Sequence, residues 1–311
     1  MRHLLRSQQF DRRSLERLFK LADELEKKPD DSLRGKIIAT LFYEPSTRTR
    51  FSFESAAMRL GGNVITTENA RDFSSAAKGE MLEDTIRVVD NYADLIVMRH
   101  YEAGASARAA AVSEVPIINA GDGADQHPTQ GLLDLYTVWR ELRKIDGVHV
   151  AAVGDLKYGR TIRSFSYLLG KYDNIKMTFV SPPELKIGDD IKAYLKRHKV
   201  AFEEVQDIYA AMKEADVVYQ TRIQKERFAR VEDYERLKGS FVITRALADS
   251  MKNGAIIMHP LPRNEEIALD VDSSPRAAYF RQAHNGLLTR MALLKILVNG
   301  KKYEIGQNGK N

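Results

Sequence analysis

The chain has 311 residues, 43% hydrophobic and 29% charged, enough for roughly two domains with well-buried cores. It has no cysteine, which excludes disulfides, thiolate metal sites and cysteine nucleophiles. Its net charge of +5 comes from 48 basic and 43 acidic residues interspersed along the chain, so no basic tract of nucleic-acid-binding type stands out and a pocket for anionic substrates is the simpler use. Apolar runs stay well short of the ~20 residues of a membrane helix. The opening Met1–Arg6 continues into polar residues without an apolar segment, which argues against secretion and predicts a cytoplasmic protein.

In chain order, residues 11–26 set Leu15, Leu18, Phe19 and Leu25 at helical spacing before Pro29, Asp30 and Asp31 break the run. Lys36–Tyr43 is an apolar run of strand length, and Phe51–Leu60 is again helical in spacing. Glu44-Pro45-Ser46-Thr47-Arg48-Thr49-Arg50 therefore sits where a strand turns into a helix. The first amides of such a helix lack partners and lie at the positive end of its dipole, a natural seat for a phosphate. Ser46, Thr47 and Thr49 add hydroxyl donors, Arg48 or Arg50 a planar fork for a tetrahedral oxyanion, and Glu44 is expected to hold one arginine in place. An ordinary N-cap with solvated arginines is the alternative; the interleaving of two arginines with three hydroxyls favours anion binding.

Gly61-Gly62 reads as a helix C-cap and Val64–Thr67 as a short strand. Residues 69–79 lack periodicity and read as a mobile loop, ending in Lys78-Gly79-Glu80 before a helix over 81–92. Asp94–Met98 is a buried-type strand that delivers Arg99 and His100 at its carboxyl end, where ligands gather in open parallel sheets. Val115–Ile118 is the next strand. The loop after it carries His127, which can donate to a carbonyl oxygen, and Gln130, which can bond an amide. A helix with Trp139 runs from Thr129 to about Lys144, and a domain boundary is expected near Asp146-Gly147.

Beyond it, Val148–Val153, Ile175–Val180, Val217–Gln220 and Ala255–Met258 read as strands alternating with helices, which implies parallel sheets. Gly154–Thr161 nearly matches the phosphate loop of nucleotide hydrolases. Arg160 replaces the lysine, however, and Asp155 would put a carboxylate in the cradle, so nucleotide binding is set aside and Arg160 becomes a candidate for a carboxylate. Thr221–Arg227 is charged and alone would pass for a solvated helix face. In His259-Pro260-Leu261-Pro262-Arg263 two prolines restrict which carbonyls face a site. Residues 277–299 look like a long apolar helix, followed by a polar tail expected to fray.

Ser46–Arg50, His127-Pro128-Thr129-Gln130 and His259–Pro262 occur in the order and approximate spacing of the carbamoyltransferases. Asp155–Arg160 and Thr221–Arg227 extend the match, and the chain resembles the aspartate-specific catalytic chains of that family from about Gly35 to Asn299. The resemblance implies an α/β fold of two doubly wound parallel-sheet domains with the active site between them. Residues 1–145 would bind carbamoyl phosphate, with the C-terminal helix 285–311 packing back on them, and residues 146–284 would bind aspartate. The implied reaction moves the carbamoyl group of carbamoyl phosphate to the amine of L-aspartate, the committed step of pyrimidine synthesis. A relative with another acceptor is the alternative.

The resemblance also assigns roles. Ser46, Thr47, Arg48 and Thr49 would hold the phosphate, and Thr49, Arg99 and His127 would surround the carbonyl oxygen. Gln130 and the carbonyls of Pro260 and Leu261 would orient the carbamoyl amide. Arg160 would take the aspartate α-carboxylate, and Arg222 with Gln224 the β-carboxylate. Lys78 and a nearby serine, Ser74 or Ser75, would reach the active site of a neighbouring subunit in a homotrimer, to which regulatory chains could be joined. No metal, cofactor, membrane or nucleic acid is implied. Ornithine enzymes of the family would call for a cysteine in the His-x-Leu-Pro segment, where Pro260 stands here, and Arg222 would repel a cationic acceptor. Tyr101 stands where a proline often follows Arg-His in the family.

Overall fold

The computed structural model describes residues 1–300 except 226, 227 and 229. The expected frayed tail after Asn299, and Glu226 and Arg227 of the charged segment, thus fall largely outside the described residues. The chain divides into two compact units, one of Met1–Leu133 with the segment from His284 onward, the other of Asp134–Ala283.

The first unit is built on β1 (Ile37–Phe42), β2 (Asn63–Glu68), β3 (Leu95–His100) and β4 (Ile117–Asp122), all parallel in the order β2-β1-β3-β4. Its helices are α1 (Arg12–Lys27), α2 (Thr47–Arg59), α3 (Ala70–Phe73), α4 (Leu82–Val89), α5 (Ala105–Val112) and the start of α6 (Pro128–Leu142). α1 forms because Leu15, Leu18, Phe19, Ala22 and Leu25 fall on one buried face, and because Asp11 accepts from Ser14 N at 2.7 Å while Ser14 Oγ accepts from Asp11 N at 2.9 Å. A cap of this kind stabilises a helix by about 1 kcal/mol. The core packs Ala39, Leu41, Tyr43, Ile96, Met98 and Ile117 against Ala70, Leu82, Ile86 and Ala109.

Two local expectations change here. β4 runs on through Asn119-Ala120-Gly121-Asp122, which the polar sequence disguised. Buried Asn119 and Asp122 satisfy each other at 3.2 Å, and Asn119 also binds Leu5 O and Gly121 N. The segment 69–79 is ordered into α3 and a 3-10 turn at Ser75–Lys78, not an irregular loop.

The second unit carries β5 (His149–Val153), β6 (Lys176–Val180), β7 (Ala201–Val205), β8 (Val217–Gln220) and β9 (Ile256–Met258), all parallel in the order β7-β6-β5-β8-β9. α7 (Arg160–Leu169), α8 (Asp189–Arg197), α9 (Ile208–Glu214), α10 (Val231–Leu237) and α11 (Arg245–Asp249) belong to it, and α12 (Tyr279–Asn299) starts in it. β7 has no counterpart among the expected strands: it is an edge strand, and Glu203 and Glu204 interrupt its apolar alternation. Val153, Val218, Ile257, Met212, Leu247 and Tyr279 meet in the core.

Candidate active site

Each sheet has a point at which the strand order reverses. In the first unit the chain passes from β1 outward to β2 and returns on the other side of β1 with β3 and β4. In the second it passes from β5 through β6 to β7 and returns beside β5 with β8 and β9. Ligands of open parallel sheets bind beyond the carboxyl ends of the strands at such points. These ends are Tyr43–Arg50 and Arg99 in one unit, and Gly154–Arg160 and Thr221–Gln224 in the other, the segments that the sequence singles out.

In the first unit β1 and β3 run in register up to Phe42 opposite Arg99, and Tyr43 N donates to Arg99 O at 2.9 Å. Arg99 is mostly buried, and its Nε and Nη2 both reach Glu44 Oε2 at 3.1 Å. Glu44 therefore holds an arginine, Arg99 of the neighbouring strand end. Ser46 occupies the N-cap position of α2 without making a side-chain cap, and the first turn contains no acidic residue. The positive end of the helix thus has no internal anion.

The two loop arginines have separate fates. Arg50 donates to Glu68 at 2.8 Å and to Glu54 at 3.3 Å, and both side chains of the Arg50–Glu54 pair are largely buried. It braces α2 against β2 and is spent on structure. Arg48 is exposed and has no ion pair among the described residues, while surrounding protein desolvates its guanidinium and lowers its pKa without neutralising it. Thr49 is buried.

Beyond β4, Gly123 has φ +50°, and a Cβ there would lie 2.6 Å from Ala103 N, so the turn demands glycine. His127 and Gln130 follow, both buried, at the start of α6; His127 Nδ1 lies 3.4 Å from Thr129 Oγ1. On the 69–79 segment Lys78 is exposed at the end of the 3-10 turn. Ser74 Oγ donates to Ala70 O and accepts from Ala76 N at 3.2 Å, whereas Ser75 is exposed.

In the second unit β5 ends at Gly154, whose φ is +109°. A Cβ there would lie 2.3 Å from Thr221 O, so only glycine lets the ends of β5 and β8 close on each other. Thr221 N and Oγ1 donate to Val153 O at 2.8 and 2.9 Å. Asp155 is fully buried and accepts from Tyr158 N at 3.0 Å; burial pushes its carboxyl up, against the pull of these donors. A carboxylate inside the turn is unsuited to cradle a nucleotide phosphate, in keeping with the sequence. Arg160 opens α7, half-buried, with no acidic residue in that first turn. Arg222, Gln220, Tyr234, Lys238 and Asn264 line a cavity of ≈ 190 Å³. Gln224 Nε2 lies 3.5 Å from Asp155 Oδ2.

After β9 the chain is held from both sides. His259 Nδ1 accepts from Leu261 N at 2.8 Å, which leaves the ring proton on Nε2 facing Glu266 Oε1, also at 2.8 Å. Burial pushes the Glu266 carboxyl up, but the hydrogen bond and charge of His259 together with backbone donors outweigh it, and the pKa lies below the ordinary value. Leu261 adopts φ +52°, rare for a branched side chain, and the Leu261–Pro262 peptide is cis. His259 N donates to Gln282 Oε1 at 2.9 Å, Gln282 Nε2 to Asp134 at 2.6 Å, and Tyr219 OH to Asp134 at 2.7 Å. Sequence reasoning missed this buried chain, because neither Asp134 nor Gln282 belongs to a motif. Among the described residues no group of three or more His, Cys, Asp or Glu could hold a metal ion.

Comparison with known proteins matches residues 2–140 to the aspartate/ornithine carbamoyltransferase carbamoyl-P binding domain and 146–297 to the Asp/Orn binding domain of the same family. Aspartate carbamoyltransferase 3, chloroplastic, of Pisum sativum is 57% identical over 96% of this chain and 78% of its own length. The catalytic subunit of aspartate transcarbamoylase from Methanocaldococcus jannaschii has a structure with TM-score 0.89 and 49% identity, covering 98% of this chain and 100% of that one. The Trypanosoma cruzi aspartate transcarbamoylase solved with carbamoyl phosphate and aspartate has TM-score 0.89 and 38% identity, covering 94% and 96%. The pea enzyme and its relatives in rice and Arabidopsis are chloroplastic, which overturns the cytoplasmic placement expected above. Relatives 55–57% identical to it are chloroplastic, so the polarity of the first residues does not report the compartment.

Proposed function

From a chain that belongs to the aspartate/ornithine carbamoyltransferase family, we infer the transfer of the carbamoyl group of carbamoyl phosphate to L-aspartate, giving N-carbamoyl-L-aspartate and phosphate. Residues 1–145, with the C-terminal helix, bind carbamoyl phosphate, and residues 146–284 bind aspartate. The observation that carries the chemistry is the N-terminus of α2, where Ser46 makes no side-chain cap, with exposed Arg48 on it and Arg99 held by Glu44 at the neighbouring strand end.

The phosphate takes the amides of α2, the hydroxyls of Ser46, Thr47 and Thr49, and the Arg48 guanidinium. Thr49, Arg99 and His127 donate to the carbonyl oxygen. When the aspartate amine attacks the carbonyl carbon, that oxygen becomes an oxyanion, and each lost donor of this kind costs ~3 to 4 kcal/mol. Phosphate then leaves with the bonding electron pair and takes up the proton that the amine loses. Gln130 and the Pro260 and Leu261 carbonyls orient the carbamoyl NH2. Arg160 binds the α-carboxylate, and Arg222 with Gln224 the β-carboxylate. The rate comes chiefly from positioning and oxyanion stabilisation, since phosphate is a good leaving group.

The chain acts as a homotrimer in which Ser74 and Lys78 complete the site of a neighbour, Ser74 exchanging its local bond to Ala70 O for substrate. The product feeds pyrimidine synthesis. Mixing Lys78→Ala subunits with Arg48→Ala subunits tests the shared site: activity above both parents is expected, and no mixture exceeding either parent would refute it.

A further inference from the structure

Tyr101 takes part in a contact that no catalytic role accounts for. Arg71 Cζ, from α3, lies 4.8 Å from the centre of the Tyr101 ring. Tyr101 in turn stacks on His100, with centroids 4.4 Å apart and planes 24° apart, and His100 packs on Tyr43 at 4.7 Å. His100 is fixed by accepting from Glu102 N at 3.0 Å through Nδ1. The stack therefore runs from the segment that carries Lys78 to the two strand ends that carry the carbamoyl phosphate residues, Tyr43 leading into Glu44–Arg50 and His100 following Arg99.

Among the described side chains two alanines anchor the segment to the core. Its backbone bonds, Asp72 N to Asn69 O, Ala77 N to Ser74 O, Gly79 N to Ala76 O and, from the next residue, Glu80 N to Ser75 O, are local. Ala70 is buried in the core and Ala76 packs on it, while Arg71, Asp72, Ser75, Ala77 and Lys78 are exposed. A small alanine methyl fixes position poorly against rotation. A guanidinium lying over an aromatic ring adds a directional hold at the far side of α3.

We propose that Arg71, stacked on Tyr101, is a positioning residue that sets the pose of the 69–79 segment and so of Lys78, without touching substrate. This rests on the assignment of Lys78 to the aspartate site. A partly exposed cation–ring contact alters the population of the posed segment by about two- to fivefold, so the effect falls on KM for aspartate more than on the chemical step.

The test compares steady-state kinetics of Tyr101→Phe, Tyr101→Ala, Arg71→Ala and the Arg71→Ala/Tyr101→Ala double variant, with Lys78→Ala alongside. Trypsin cleavage after Lys78 is followed by mass spectrometry. Tyr101→Phe keeps the ring and should behave as the parent. Each alanine variant should raise aspartate KM about two- to fivefold and speed cleavage after Lys78, and the double variant should be no worse than either single. Parent-like KM and cleavage in both alanine variants, or losses that add in the double, would overturn the inference alone if Lys78→Ala is impaired. Normal turnover in Lys78→Ala would overturn the role of Lys78 and the inference with it.

Discussion

Arg48 and Arg50 stand two residues apart at the start of α2, and their surroundings predict opposite phenotypes. Arg48 has no ion pair among the described residues and is exposed, so Arg48→Ala should change folding stability by no more than about 0.5 kcal/mol. Its loss should be felt in catalysis. A guanidinium that gives a phosphoryl group two charge-assisted bonds, each worth about 1.5–3 kcal/mol, supplies roughly 3–5 kcal/mol, or about 10²- to 10⁴-fold in kcat/KM. Arg50→Ala removes the bonds to Glu68 at 2.8 Å and Glu54 at 3.3 Å. It leaves the Glu54 side chain, 13% exposed, with the hydroxyls of Thr40 and Thr66 as its donors among the described residues, at 3.1 and 2.7 Å. Such a charge left without its counter-ion should cost about 1–3 kcal/mol. Urea unfolding and steady-state kinetics on both variants make the comparison. Near-normal turnover in a folded Arg48→Ala protein would refute the phosphate assignment, and an Arg50→Ala protein as stable as the parent would refute the bracing role.

Three further outcomes follow from the second unit. Gly154→Ala forces a methyl against Thr221 O in a backbone conformation that strains any L side chain. It should cost about 2–4 kcal/mol of stability and raise KM for aspartate by displacing Arg222; an unchanged aspartate KM would show that the approach of β5 and β8 does not place that residue. Arg222→Met should raise aspartate KM while leaving carbamoyl phosphate binding, measured by calorimetry, at the parent value; equal loss of both would contradict the division of labour. Glu266, a carboxyl with a depressed pKa, contributes stability that is present above the ordinary carboxylate value and lost as pH falls through its lower folded value. Stability curves of Glu266→Gln should therefore be flatter than those of the parent below about pH 4.5, and identical slopes would exclude the His259–Glu266 bond.

Elements with strong periodicity or a continuous apolar run are legible in the sequence. α1, β1, β3, β5, β8 and α12 are such elements, and since their ends fix the switch points, the positions of Arg48, Arg99, Arg160 and Arg222 followed from the sequence. β7 escaped because an edge strand needs no continuous apolar face and here carries Glu203 and Glu204. β4 was cut short because a buried Asn119–Asp122 pair looks like loop until its mutual hydrogen bond is seen. The partner of Glu44 was out of reach for a different reason: Arg99 lies 55 residues away in sequence and only the parallel register of β1 and β3 brings it near. The stack of Arg71, Tyr101, His100 and Tyr43 and the chain from Tyr219 through Asp134 to His259 are likewise long-range contacts without local pattern. The family resemblance supplied the substrate and the roles of individual residues, which periodicity and spacing do not contain.

The most direct test is phosphate release from carbamoyl phosphate by the purified chain, run in parallel with L-aspartate and with L-ornithine. Release with aspartate alone is expected, because the proposed acceptor residues Arg160 and Arg222 are cations, which suit a dicarboxylate and repel an ornithine side chain. Release with ornithine, or with neither amine, would contradict the assignment of the Thr221–Gln224 segment to the acceptor and with it the function inferred for this chain.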